Sequence, residues 1–227
     1  MSALNDFNAR IIEVRGILDY VAPETTTLTE AARRPFSDGT LARSCLVLGV
    51  SYFEGYLKDA VDECLDTLVL NQVPCSRVGE HIKGYIIREH LEVLRLRNEP
   101  DQLWRAVTTL QRFNSSLAGD EPILDTLVPR NAIKRAMTSI EPSNVNELLR
   151  TFGETDLNRG PVSRHGEMLK SVKRVRDMAV HGNESDLPVL SIKEVDKRLS
   201  DLSRCAADLA ARLSDLIGVL DQAELNS

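Results

Sequence analysis

The C-terminal stretch constrains the fold more than any other part of the chain. Ile192, Val195, Leu199, Leu202, Ala206, Leu209, Leu213, Leu216 and Leu220 recur at alternating spacings of three and four. That rhythm keeps one apolar stripe on a 3.6-residue helix. A helix over about 191–221 would be ~45 Å long at ~1.5 Å per residue. Its stripe must be covered, either as the seam of a coiled coil or as the core side of a helical bundle. The bundle is the preferred expectation, because other segments also present apolar faces that need partners.

Those segments are also helical. Leu4, Phe7, Ile11, Val14 and Leu18 share one face of a helix over 4–20. Pro23 and the polar run from Glu24 to Glu30 then break the pattern, so 21–39 reads as a loop ending at Gly39. In 40–70, Leu46, Val50, Phe53, Leu57, Val61, Cys64 and Leu68 repeat at helical spacing, and the first half is apolar on nearly all sides. A helix of that kind sits at the centre of its domain. Two helices, about 78–97 and 101–117, are expected on either side of Pro100, and a short one at 130–139. The run 142–153 reads as a short helix, N-capped by Ser143 or Asn144 and stopped at Gly153. Another runs from about 162 to His181, with Gly182 as its C-cap. The fold class expected is all-α: four long core helices with short extra ones.

A chain of 227 residues with 42% hydrophobic and 27% charged residues can form one large domain or two small ones. MSALNDFNAR lacks the basic and apolar regions of a secretory signal, and the most apolar run, Cys45–Val50, is far shorter than a membrane span. Cys45, Cys64, Cys75 and Cys205 match neither a zinc pattern nor a C-x-x-C motif. They are expected to be free, buried thiols in a reducing cytoplasmic setting. Phosphate-binding glycine loops, H-E-x-x-H and G-x-S-x-G are absent. With His81, His90, His165 and His181 as the only histidines and none paired at i, i+4, neither a metal nor another cofactor is expected.

The net charge of −6 conceals a basic window. Arg159, Arg164, Lys170, Lys173, Arg174 and Arg176 are opposed within it only by Glu167. Such a concentration on an acidic chain suits a phosphate ligand, with Lys170, Lys173 and Arg174 as candidate RNA-binding residues; the bland reading is a solvated face balanced by acidic neighbours. The window ends in Arg176-Asp177-x-x-x-His181, an R-x4-H arrangement at a helix end. Arg159 and His165 form a looser R-x5-H decoy. On an ideal helix Arg176 and His181 point ~140° apart, whereas Asp177 and His181 face each other. That carboxylate would favour the imidazolium, as would the helix dipole. The same residues read equally as a C-terminal salt bridge and a surface cation. Glu54 lies between Phe53 and Gly55 on the central helix. A buried carboxylate needs a partner, and Arg176 or another cation of its helix is the candidate. Glu54 then either pins that Arg, takes part in the chemistry, or is exposed.

Together, Arg176-Asp177-x-x-x-His181, SYFEGYLKD (51–59) and SNVNELLRTFG (143–153) resemble the HEPN superfamily, specifically its RiboL-PSP-HEPN branch. The resemblance covers roughly 40–220, leaving the N-terminal helix and the loop 119–141 unaligned. It implies a single HEPN-like domain over 1–227, with the N-terminal helix 4–20 and the core 40–221. It also implies a metal-independent RNA endonuclease that uses the substrate's 2′-OH and leaves 2′,3′-cyclic phosphate ends. Arg176 and His181 would be catalytic, with Asp177 and Glu54 supporting them. The implied assembly is a C2 homodimer, cytoplasmic, acting as a toxin or phage-defence effector under an antitoxin or regulatory partner. The alternative expectation is a non-catalytic RNA- or protein-binding module.

Overall fold

The structure, a computed structural model, describes residues 2–21, 35–95, 130–137, 139–158, 160–181 and 190–222, with separate positions between 101 and 128. Seven α-helices are described: α1 Ser2–Val21, α2 Pro35–Leu70, α3 Glu80–Arg95, α4 Arg130–Ala136, α5 Pro142–Thr151, α6 Pro161–His181 and α7 Ile192–Gln222. No strand occurs among the described residues. The protein is an all-α bundle in which α1, α2, α6 and α7 are the long members. Among the described residues no helix is long and apolar enough to cross a membrane.

The periodic stripes explain the packing. In α7, Val195, Leu199, Leu202, Ala206, Leu209 and Leu213 are buried, and they pack on α1, α2 and α6 of the same chain. The long seam is therefore the core side of a bundle. Helix α2 takes the centre, touching α1, α4, α5, α6 and α7, as its all-round apolar surface requires. Gly49 lets α2 and α7 approach, since a Cβ there would overlap Cδ2 of the fully buried Leu199. Phe7, Phe53 and Tyr56 form an aromatic cluster with ring centroids 5.4 to 5.8 Å apart, each ring worth roughly 1.5–3 kcal/mol in burial. The Tyr56 hydroxyl donates to the Ala206 carbonyl at 2.9 Å. That bond satisfies the one polar atom that burying the ring brings with it. All four cysteines are free and buried, and burial pushes the Cys64 and Cys205 thiols up, which suits packing rather than reactivity.

Several element boundaries differ from expectation. Pro35 to Gly39 are helical instead of ending a loop, because Pro is favoured in the first turn of a helix; residues 22–34 lie outside the described residues. The same preference sets α5, which begins at Pro142 with Glu141 as its N-cap and no side-chain cap bond, so Ser143 and Asn144 are inside the helix. Helix α3 begins at Glu80 instead of 78, with 96 and 97 outside the described residues, and α4 stops at Ala136. Of the expected helix 101–117, Asp101, Leu103, Trp104, Val107, Thr108 and Gln111 are helical and the rest lies outside the described residues, as does the cap expected at Gly182.

The end of α5 is as expected and positions a residue that the sequence reading overlooked. Gly153 has φ +99°. The Glu154 N–H donates to the Leu149 carbonyl at 3.0 Å and the Gly153 N–H to the Arg150 carbonyl at 3.0 Å, the paired bonds of a Schellman cap. The chain is thereby turned so that Glu154, only 3% exposed in its side chain, meets Arg212 of α7. The Arg212 hydrogen bond, helped by the Asp156 and Thr155 N–H groups, outweighs burial and holds the Glu154 carboxyl below its ordinary range. A carboxyl depressed by folding contributes stability above its unfolded pKa of ~4.3 and loses it as pH falls through the lower folded value. Urea midpoints measured from about pH 7 to about pH 3 are expected to fall less steeply in Glu154→Gln than in wild type. Identical slopes would mean the pair adds nothing to acid sensitivity.

Candidate functional site

Leu169, Val172 and Val175 bury one face of α6. Helical spacing then forces Lys170, Lys173, Arg174, Asp177 and His181 onto another side. These five, with Met178, line a groove of ≈ 720 Å³ whose other wall is Glu141, Pro142 and Ser143 at the start of α5. The positive end of α5's backbone dipole therefore faces the cations of α6. The second wall was not read from the sequence. The signal present was the Glu-Pro pair opening the short helix.

Arg176 is turned away from the groove lining, toward α2. Its Nη2 donates to both oxygens of Glu54, at 2.9 and 3.0 Å, and its Nη1 to Asp177 Oδ1 at 2.9 Å. The side chains are 24% and 15% exposed for Arg176 and Glu54. Glu54 is thus neither solvent-exposed nor alone, and its partner is the Arg anticipated for it. These are charge-assisted bonds. They use three of the five N–H donors of the guanidinium, so donors remain for a further anion.

Asp177 does not behave as its i, i+4 relation to His181 suggested. Its carboxylate is taken by Lys173, at 2.6 Å, and by Arg176, at 2.9 Å. Lys173 stands at the opposite i−4 position and carries a permanent charge on a flexible stem, as Arg176 does on the adjacent residue. Both compete better than an imidazole. Burial pushes the Asp177 carboxyl up, but the hydrogen bonds from Lys173 and Arg176 outweigh it and hold it below the usual carboxylate range. Lys173 also pairs with Glu141 at 3.1 Å, and its bonds to Asp177 and Glu141 raise its ammonium above the usual value.

The remaining cations differ in commitment. Lys170 pairs with Glu167 at 2.7 Å, both side chains well exposed at 63% and 90%, a surface pair of little worth. Arg174 is exposed and meets no carboxylate among the described residues. Arg159 lies outside the described residues. His165 belongs to the framework: its Nε2 lies 2.8 Å from Asp208 Oδ2, and Arg164 reaches the same oxygen at 3.1 Å, together fastening α6 to α7.

His181 occupies the last turn of α6, exposed at one end of the groove. Arg174 is two turns away, ~10 Å along the axis. The groove thus presents a cation able to bind a phosphate, a group able to move a proton, and, behind them, an arginine held in place by Glu54. Among the described residues no group of three or more His, Cys, Asp or Glu side chains converges in the manner of a metal site. Comparison with family models, with curated proteins and with solved structures yields no match to this chain.

Proposed function

We propose that the chain is a metal-independent RNA endonuclease of the HEPN type. The observation that carries the reading is the shared groove. Lys170, Lys173, Arg174 and His181 line it together, and Arg176 is anchored beside it through Glu54 and Asp177. In the proposed reaction the 2′-oxygen forms a bond to phosphorus while the bond from phosphorus to the 5′-oxygen breaks. A base takes the 2′-proton and an acid supplies one to the leaving 5′-oxygen, giving a 2′,3′-cyclic phosphate and a 5′-hydroxyl. Arg176 stabilises charge developing on the phosphate with its spare donors, and Arg174 and Lys170 hold the strand. One histidine per chain serves poorly as both base and acid. A C2 homodimer would supply His181 and the partner subunit's His181 to one reaction centre.

The test is purified protein incubated with a mixed RNA pool in EDTA, followed by analysis of product ends. Cyclic-phosphate ends and intact DNA controls are expected, since DNA lacks the 2′-OH. Cleavage that stops in EDTA, or products with free 3′-hydroxyls, would overturn the reading.

A non-catalytic nucleic-acid-binding module is the competing reading, and one observation favours it. Asp177 is spent on Lys173 and Arg176, so it does not orient the imidazole. Salt-dependent RNA binding without product would identify that case.

A further inference from the structure

A second basic hollow lies between α2 and α4. Lys58 and Asp59 of α2 and Asn131, Lys134 and Arg135 of α4 line a space of ≈ 440 Å³. Its cations divide into two kinds. Lys134 is held by Asp62 at 2.7 Å, and the neighbouring Arg130 by Asp66 and Asp125; these pairs fasten α4 to α2 and to the segment before it. Lys58 and Arg135 meet no carboxylate among the described residues, and the hydrogen bond of Arg135 goes to its own helix, Nε to the Asn131 carbonyl at 3.3 Å. In a chain of net charge −6, two uncommitted cations facing one hollow are not explained by the framework, which is already fastened by their neighbours.

The position of the hollow is informative. Glu54, Lys58 and Asp62 stand four residues apart on α2 and so share a face. Glu54 carries Arg176 and Asp62 carries Lys134, leaving Lys58 between them, ~6 Å along the helix axis from each. The chain from Arg130 to Ser143 then leads from this hollow directly to the α5 wall of the groove. Arg176, next in sequence to Asp177 of the groove lining, is thus held by Glu54 one helical turn before Lys58 of the hollow.

We propose that the Lys58–Arg135 hollow binds a phosphodiester of the RNA strand outside the cleaved linkage, so that the strand runs from the α6 groove past Arg176 to α4. This site rests on the ribonuclease reading for its ligand. Asn131, with an amide that both donates and accepts, adds a neutral contact to the two charges. The hollow lengthens the footprint on RNA without touching the reacting atoms.

The test uses the full chain and fluorescent 2′-O-methyl oligonucleotides of about three and about ten nucleotides, whose blocked 2′-oxygens prevent the attack. Anisotropy titrations at several salt concentrations give affinity and salt slope. Wild type is expected to bind the longer strand at least ~10-fold more tightly. Lys58→Ala/Arg135→Ala should lose most of that length preference, and its salt slope on the longer strand should fall by ~0.7 for each phosphate that is no longer neutralised. Lys58→Arg should keep both. Thermal melts check that the variants fold. A variant that keeps the full length preference, or that weakens both strands equally, overturns the site. Parallel cleavage of unmodified RNA separates the two ideas. Wild type that cuts RNA while the double variant keeps its length preference sinks this site alone. Loss of length preference in a protein that never cuts upholds the site and sinks the catalytic reading. Wild type that neither binds nor cuts overturns both.

Discussion

His181→Ala is expected to slow RNA cleavage by ~10²–10⁴, the range for removing a positioned acid or base, while leaving the melting curve where it was. The two halves of that expectation have separate causes. His181 is exposed on the last turn of α6 and lines the groove, so its loss opens no cavity and strands no buried partner. The chemical step, by contrast, has no second imidazole among the described residues of the groove lining to take over the proton. Single-turnover cleavage of one labelled RNA, with binding measured on its 2′-O-methyl counterpart, separates a defect in chemistry from a defect in affinity. An unchanged rate would remove His181 from the mechanism and leave the groove as a binding surface.

The second large effect concerns the pair behind the groove. Glu54→Ala is expected to cost about 2–3 kcal/mol of stability, somewhat less than the ~3–5 kcal/mol for breaking a fully buried pair, because Arg176 retains 24% exposure. The loss comes from leaving a half-buried guanidinium with Asp177 as its one remaining carboxylate partner among the described residues. Replacing both residues together by Met should cost less than Glu54→Ala alone, since no charge is then stranded. Equal losses in the single and double variants would show that the two side chains are not coupled. Activity distinguishes a pin from a participant. If Glu54 only holds Arg176, Glu54→Gln, which keeps one of the two acceptor oxygens, retains much of the rate, whereas Arg176→Lys does not recover it, because an ammonium cannot span two Glu54 oxygens and Asp177 at once. Full activity in Arg176→Lys would mean that only the positive charge matters.

Much of the architecture is legible in the order of the residues. The stripe on α7 and the all-round apolar surface of α2 are written within short windows, because the helical period places residues three and four apart on one face whatever surrounds them. The partial burial of Glu54 follows from its place on α2, and withdrawal from water favours a cationic partner. Gly153 marks the end of α5 because its positive φ is the geometry glycine adopts freely. Charge pairing is much less legible. Asp177 faces two i, i±4 neighbours, Lys173 and His181, and sits next to Arg176. Spacing alone does not rank them, and the ranking depends on where α2 holds the Arg176 guanidinium.

The helices, their inward faces and the need of Glu54 on the central helix for a cation follow from local sequence, since backbone sterics and hydrophobic period act over a few residues. The groove does not. Its second wall is the proline-initiated start of α5, its lysines are apportioned among Glu141, Glu167 and Asp177, and the arginine behind it is fixed by a carboxylate 122 positions away in the chain. Glu154 finds Arg212 across 58 positions in the same way. Electrostatic partners are chosen by distance in space among several chemically equivalent candidates, and that distance exists only once the bundle has packed.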